Sequence, residues 1–111
     1  ATPPGRIGKG GWGMGYAMTK AAFARVAPLL TVELGDQGIR NFSIDPGSVI
    51  TEKWEIANRG KGFDESHAGT PDMIAAAAAW LATSEEAVEL DGKVVYAQKE
   101  TKARDLIGRY L

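Results

Sequence analysis

Cysteine is absent from this chain of 111 residues, and histidine occurs once, as His67. Without cysteine the chain forms neither a disulfide bond nor a thiolate metal site, and a single histidine has no second imidazole with which to bind a metal. No run of about 18 apolar residues is present, so the sequence predicts no membrane span. Residues 1–5 lack the features of a signal peptide, and we therefore expect a cytoplasmic protein.

The chain also has little excess of charge of either sign, because its 13 basic and 14 acidic residues give a net charge of −1. No basic block is present, so nucleic-acid binding has no electrostatic support. Apolar residues make up 44% of the chain, which is enough for one domain with a modest core. We treat residues 1–111 as part of a single domain.

Tyr16 and Lys20 are the most informative pair of residues in the sequence. Residues four apart lie on the same face of a helix, so the phenol and the amine are expected to be neighbours. A tyrosine side chain in water has a pKa of about 10, and a nearby ammonium group favours its phenolate form. The pair can therefore act as a proton donor and acceptor, although a solvated helix edge is the alternative.

Hydrophobic spacing and turn residues predict the secondary structure in outline. In chain order we expect a helix over residues 16–34 with a bend at Pro28, a strand over 39–45, a mobile lid over 52–69 with one short helix, an alanine-rich helix capped by Thr70, a strand over 93–97 and a last helix over 101–110. The consecutive alanines indicate close packing, not function.

The turn Pro46-Gly47 ends the first predicted strand. Proline has no amide donor and glycine allows backbone to approach a ligand closely, so the turn and the Thr51 hydroxyl could face a planar amide. An ordinary strand-exit turn is the alternative. The glycines of residues 8–13 match a phosphate-binding pattern, but no strand precedes them, which favours a loop over a substrate or an interface.

The order of these segments resembles the C-terminal half of a short-chain dehydrogenase/reductase. The resemblance is carried by Tyr16-Ala17-Met18-Thr19-Lys20, by Pro46-Gly47-Ser48-Val49-Ile50-Thr51 and by the stretch from Thr70-Pro71-Asp72 to Asp91-Gly92. It implies an NAD(P)-dependent oxidoreductase that interconverts a ketone or aldehyde and an alcohol by hydride transfer. It also implies an α/β fold, as the C-terminal part of a Rossmann-like doubly wound parallel sheet.

The resemblance assigns roles to particular residues. Tyr16 would be the general acid and base, and Lys20 would assist it and hold the ribose of NAD or NADP. Pro46, Gly47, Val49 and Thr51 would hold the nicotinamide end, with Val49 acting through its backbone. Thr2 stands near the position of the family's catalytic serine, or that serine lies before Ala1. The family's usual closing glycine pair is replaced by Gln98-Lys99-Glu100.

The family's cofactor-binding half has no counterpart in these residues, so we expect a longer native protein and an inactive isolated chain. The resemblance further implies a homodimer or homotetramer with a small carbonyl or alcohol substrate. Two function classes remain open at this point. One is the dehydrogenase, and the other is a non-catalytic relative or fragment that acts as a dimerising or dinucleotide-responsive module.

Overall fold

A computed structural model describes residues 12–60 and 68–111 of the chain. The elements within these ranges are, in order, α1 (Met14–Ala24), α2 (Val26–Leu34), β1 (Ser43–Asp45), α3 (Glu52–Asn58), α4 (Pro71–Thr83), β2 (Val94–Tyr96), α5 (Ala97–Arg104) and α6 (Leu106–Tyr110). Two 3₁₀ helices, Gly35–Gln37 and Glu85–Leu90, follow α2 and α4.

The expected Rossmann-like doubly wound sheet is wrong. Helices account for 67% of the described residues, and β1 and β2 form a parallel sheet of only two strands. A doubly wound fold needs a wider sheet with helices on both faces. Strands were predicted over 39–45 and 93–97, but each observed strand has only three residues. The described chain is therefore mostly helical, with one short pair of strands.

The expected single helix over 16–34 is divided in two at Arg25. Pro28 has no amide hydrogen to donate to the Ala24 carbonyl and its ring crowds that oxygen, so the hydrogen-bond ladder is interrupted one turn earlier. Arg25 keeps right-handed helical angles, with φ −79° and ψ −15°. The chain therefore continues in a helical direction, while the hydrogen bonds restart with Leu29 N–H donating to the Arg25 carbonyl at 3.3 Å.

The chain divides into two compact units, and the first comprises residues 12–43 with Asp91–Val94. Asp91 is its central polar residue, because Oδ1 accepts hydrogen bonds from the Thr31 hydroxyl at 3.0 Å and from the Asn41 backbone N–H at 2.8 Å. Gly92 N–H donates to the Asn41 carbonyl at 2.7 Å. These bonds attach the Asp91 segment to α2 and to the chain that enters β1.

The second unit comprises residues 44–60 and 68–90 with Val95–Leu111, and its core lies where α4 packs against α5 and α6. Ala76 and Ala77 are fully buried there and pack closely, whereas Ala75 and Ala78 of the same run are exposed, so the expected close packing holds for only part of the run. Trp80 and Leu106 are the large buried side chains beside them. The buried Thr101 hydroxyl donates to the Met73 carbonyl at 2.7 Å, which fastens α5 to the first turn of α4.

The two helix starts of this unit differ in how they are capped. Thr51 precedes α3, and its hydroxyl oxygen accepts the Trp54 N–H at 3.2 Å, as expected for an N-cap residue. Thr70 precedes α4 but makes no side-chain cap bond, contrary to the sequence expectation, and Pro71 occupies the first helical position. The helix α3 agrees with the short helix expected within the lid segment, of which residues 61–67 lie outside the described residues.

Candidate functional site

Tyr16 and Lys20 lie side by side on α1, as their spacing predicts. Lys20 Nζ is 5.6 Å from the centroid of the Tyr16 ring, which places the cation against the face of the phenol. Tyr16 is 44% exposed, so its side chain is open to a ligand from solution. Among the described residues, no hydrogen bond joins Lys20 to the Tyr16 hydroxyl.

Trp12 adds an aromatic surface to this pair. Its ring stacks on that of Tyr16 with centroids 5.3 Å apart and an angle of 29° between the planes. Gly13 separates Trp12 from α1 with φ +84°, a conformation that glycine adopts readily and that turns the preceding residue back onto the helix. Helical spacing does not predict this contact, so the stacking of Trp12 on Tyr16 is a structural finding.

The turn after β1 is built by Pro46 and Gly47. Gly47 has φ +65°, and its N–H donates to Asp45 Oδ1 at 2.9 Å. The turn borders an open cleft of about 190 Å³ in the second unit. The cleft is lined by Asp45, Pro46, Gly47, Ser48, Tyr96, Gln98 and Lys99. The cleft belongs to the second unit alone, whereas Tyr16 and Lys20 belong to the first.

Val49 follows this turn and pairs with Gly69 in an isolated parallel bridge. Gly69 N–H donates to the Ser48 carbonyl at 2.8 Å, and Ile50 N–H donates to the Gly69 carbonyl at 2.9 Å. Backbone groups alternate in direction along an extended chain, so the N–H and C=O of Val49 point away from Gly69. Within residues 12–60 and 68–111, neither group has a hydrogen-bond partner.

This free donor and acceptor at Val49 match a primary carboxamide such as that of a nicotinamide ring. A carboxamide offers one C=O and one NH₂ on adjacent atoms, and a single residue in extended conformation offers N–H and C=O on one side. The Val49 backbone therefore fits the nicotinamide group that the resemblance implies. Pro46 and Gly47 shape the turn that leads to it.

The Thr51 hydroxyl, which the sequence predicts to face a ligand, also caps a helix. Its oxygen is used as the N-cap acceptor of α3, although the hydroxyl hydrogen can still donate to a ligand. Thr2, the candidate for the catalytic serine position, and His67 both lie outside the described residues. Within the described ranges, no group of three or more metal-binding side chains occurs.

Gln98 contacts this turn, although the sequence assigned it no role in the site. Its Nε2 donates to the Pro46 carbonyl at 2.8 Å and to the Ser48 carbonyl at 2.9 Å. The signal in the sequence was that the run Gln98-Lys99-Glu100 stands where the resemblance implies a pair of glycines. The contact spans about 50 positions along the chain, and no local pattern reports such a distance.

Comparison of this chain with protein-family models, with curated proteins and with solved structures finds no match. A search of the described helices for a segment both long and apolar enough to cross a membrane also finds none.

Proposed function

We propose that this chain contributes the proton-transfer pair of an NAD(P)-dependent oxidoreductase that interconverts a ketone or aldehyde and an alcohol. The observation that carries the proposal is the exposed pair Tyr16 and Lys20, with the ammonium 5.6 Å from the phenol ring. Both residues lie on α1, so the geometry of the pair does not require a doubly wound sheet.

In carbonyl reduction, the Tyr16 hydroxyl donates its proton to the carbonyl oxygen of the substrate and becomes a phenolate. Reduced NAD or NADP, when bound, supplies the hydride that reaches the carbonyl carbon. Lys20 stabilises the phenolate through its positive charge, an effect that screening by water reduces at this exposed site. In alcohol oxidation the same phenolate accepts the alcohol proton.

A second set of residues, all within the second unit, would hold the nicotinamide end of the cofactor. The free N–H and C=O of Val49 suit the carboxamide of the nicotinamide ring, and the Thr51 hydroxyl can donate to the same group. Pro46 and Gly47 keep the backbone narrow at this point, because proline carries no N–H and glycine no side chain.

The test uses the protein expressed from its complete coding sequence, with NADH and NADPH and a panel of ketones and aldehydes. We expect Tyr16→Phe to reduce turnover by about 10² to 10⁴ while dinucleotide affinity and folding remain, since only the phenol oxygen is removed. Tyr110→Phe is the matched control and should retain activity. Full turnover by Tyr16→Phe, or no turnover by the wild type with either cofactor, contradicts the proposal.

A second candidate function, a dimerising module, is favoured by the other side of α1. Met14 and Met18 are 77% and 63% exposed, and they lie about 160° around the helix from Tyr16. Exposed apolar side chains of this size favour burial against a partner. A homodimer or homotetramer formed on this face would leave the Tyr16 side accessible, so the two functions are compatible.

Sedimentation of the wild type and of Met14→Lys/Met18→Lys tests the second candidate. We expect the wild type to sediment as a dimer or tetramer and the double variant as a smaller species. Lys20→Met, on the opposite face, is the control for a general effect of surface substitution. A wild type that remains monomeric at all concentrations contradicts the candidate.

A further inference from the structure

Gln98 is bound to the Pro46–Gly47 turn through both hydrogens of its side-chain amide. Nε2 carries two hydrogens, and the Pro46 and Ser48 carbonyl oxygens, at 2.8 and 2.9 Å, accept one each. The side chain thus bridges two carbonyls that stand on either side of Gly47. No other described side chain hydrogen-bonds to these two carbonyls.

The Ser48 carbonyl is held from two sides. It accepts the Gln98 amide and also the Gly69 N–H at 2.8 Å. The carbonyl of Ser48 and the N–H of Val49 belong to one planar trans peptide group, in which they point in opposite directions. Fixing the direction of the Ser48 carbonyl therefore fixes the direction of the Val49 N–H.

Packing, in addition to hydrogen bonding, restricts the position of the Gln98 side-chain amide. A Cβ placed on Gly69 would lie 2.6 Å from Gln98 Nε2, and one placed on Gly47 would lie 3.0 Å from the same atom. The amide is thus seated between two glycines, where a side chain at either position would displace it. The glycines at positions 47 and 69 leave the space that the glutamine occupies.

We propose that Gln98 is a positioning residue that orients the Val49 N–H toward the carboxamide of a nicotinamide ring. The inference rests on the proposed function, because it takes the nicotinamide cofactor as the ligand of Val49. Gln98 does not itself touch the cofactor in this account. It acts through the peptide group between Ser48 and Val49.

The first test compares Gln98→Met with the wild type in the protein expressed from its complete coding sequence. Methionine has a similar length but no donor, so the Ser48 carbonyl loses one of its two partners. We expect the affinity for NADH or NADPH to fall about tenfold, the effect of one lost hydrogen bond. The affinity for ADP-ribose, which lacks the nicotinamide ring, should not change. Gln37→Met, on an exposed 3₁₀ helix, is the matched control.

The second test uses pH. In Gln98→Glu the introduced carboxylate repels the two carbonyl oxygens, and only its protonated form can donate to one of them. We expect dinucleotide affinity of this variant to recover partly as the pH is lowered from about 7.5 toward the carboxyl range near 4 to 5. Gln98→Met should show no such recovery. A merely space-filling role would produce no difference in pH dependence between the two variants.

The outcomes separate this inference from the proposed function. If the wild type binds neither NADH nor NADPH, both the proposed function and the inference about Gln98 are overturned. If the wild type binds and Gln98→Met binds equally well, the proposed function stands and the inference is overturned. Equal losses of NADH and ADP-ribose affinity also overturn it, because the effect would then not be specific to the nicotinamide end.

Discussion

Gly69 lies directly against the side-chain amide of Gln98, so closely that a Cβ placed on Gly69 would be 2.7 Å from Oε1 and 2.6 Å from Nε2 of the glutamine. Gly69 also exchanges backbone hydrogen bonds with Ser48 and Ile50 on either side of Val49. The absence of a side chain at Gly69 is therefore a packing requirement of the strand-exit region.

Replacement of Gly69 by alanine should destabilise the protein, because the methyl group overlaps the Gln98 amide and forces it off the Pro46 and Ser48 carbonyls. Overpacking of this kind costs about 1 to 3 kcal/mol. Urea denaturation of Gly69→Ala measures the loss. Gly35→Ala is the control, since a Cβ at Gly35 meets nothing within 4 Å and the backbone there is right-handed helical.

Shortening Gln98 should rescue that variant. In Gly69→Ala/Gln98→Ala the clash is gone, so the double variant should lose less stability than the sum of the two single losses. The expected coupling is about 1 kcal/mol or more for residues in direct contact. Strict additivity would show that Gly69 and Gln98 do not touch in solution.

Gly47→Ala should cost more than Gly38→Ala. Both glycines have positive φ, +65° and +74°, so each substitution places alanine in a left-handed conformation at about 1 to 2 kcal/mol. Only the Cβ at Gly47 also meets Gln98, with Nε2 at 3.0 Å, whereas that at Gly38 meets nothing within 4 Å. The difference in unfolding free energy between the two variants isolates the contact with Gln98. Equal costs would argue against a seated glutamine.

Asp91→Ala should destabilise the first unit by about 1 to 3 kcal/mol, because it leaves the Thr31 hydroxyl and the Asn41 N–H without their acceptor. Asp91→Asn keeps an acceptor oxygen and should cost less. Asp36→Ala is the control, since the Asp36 carboxylate makes no hydrogen bond with the described residues. Thermal unfolding of the three variants ranks their stabilities. An Asp91→Ala protein as stable as the wild type would show that Asp91 does not stabilise the first unit through Thr31 and Asn41.

Local patterns in the sequence predicted the positions of most helices correctly. The helix at Pro71–Thr83 follows from its apolar content. The spacing over 16–34 predicted one helix bent at Pro28, and the structure divides it into α1 and α2. The doubly wound sheet was wrong because it came from resemblance and not from strands in the chain. The sequence itself predicted only two strands, and each of them is three residues long in the structure.

The candidate site likewise contains one contact that local spacing predicts and others that it does not. Tyr16 and Lys20 are one helical turn apart, so their proximity follows from spacing alone. The bond between Gln98 and Ser48 joins positions far apart in the chain, and it depends on how β2 and α5 return to the turn after β1. Such a contact is decided by tertiary packing, which local spacing does not report. The free backbone of Val49 likewise depends on its bridge to Gly69.

The central claim is that Tyr16 transfers the proton in a nicotinamide-dependent reaction, and steady-state kinetics of Tyr16→Phe tests it most directly. In the protein expressed from its complete coding sequence, we expect kcat to fall by about 10² to 10⁴ while the dissociation constant for NADH or NADPH stays within about twofold. Unchanged turnover in Tyr16→Phe, measured with the cofactor and carbonyl substrate that the wild type uses, would contradict the account.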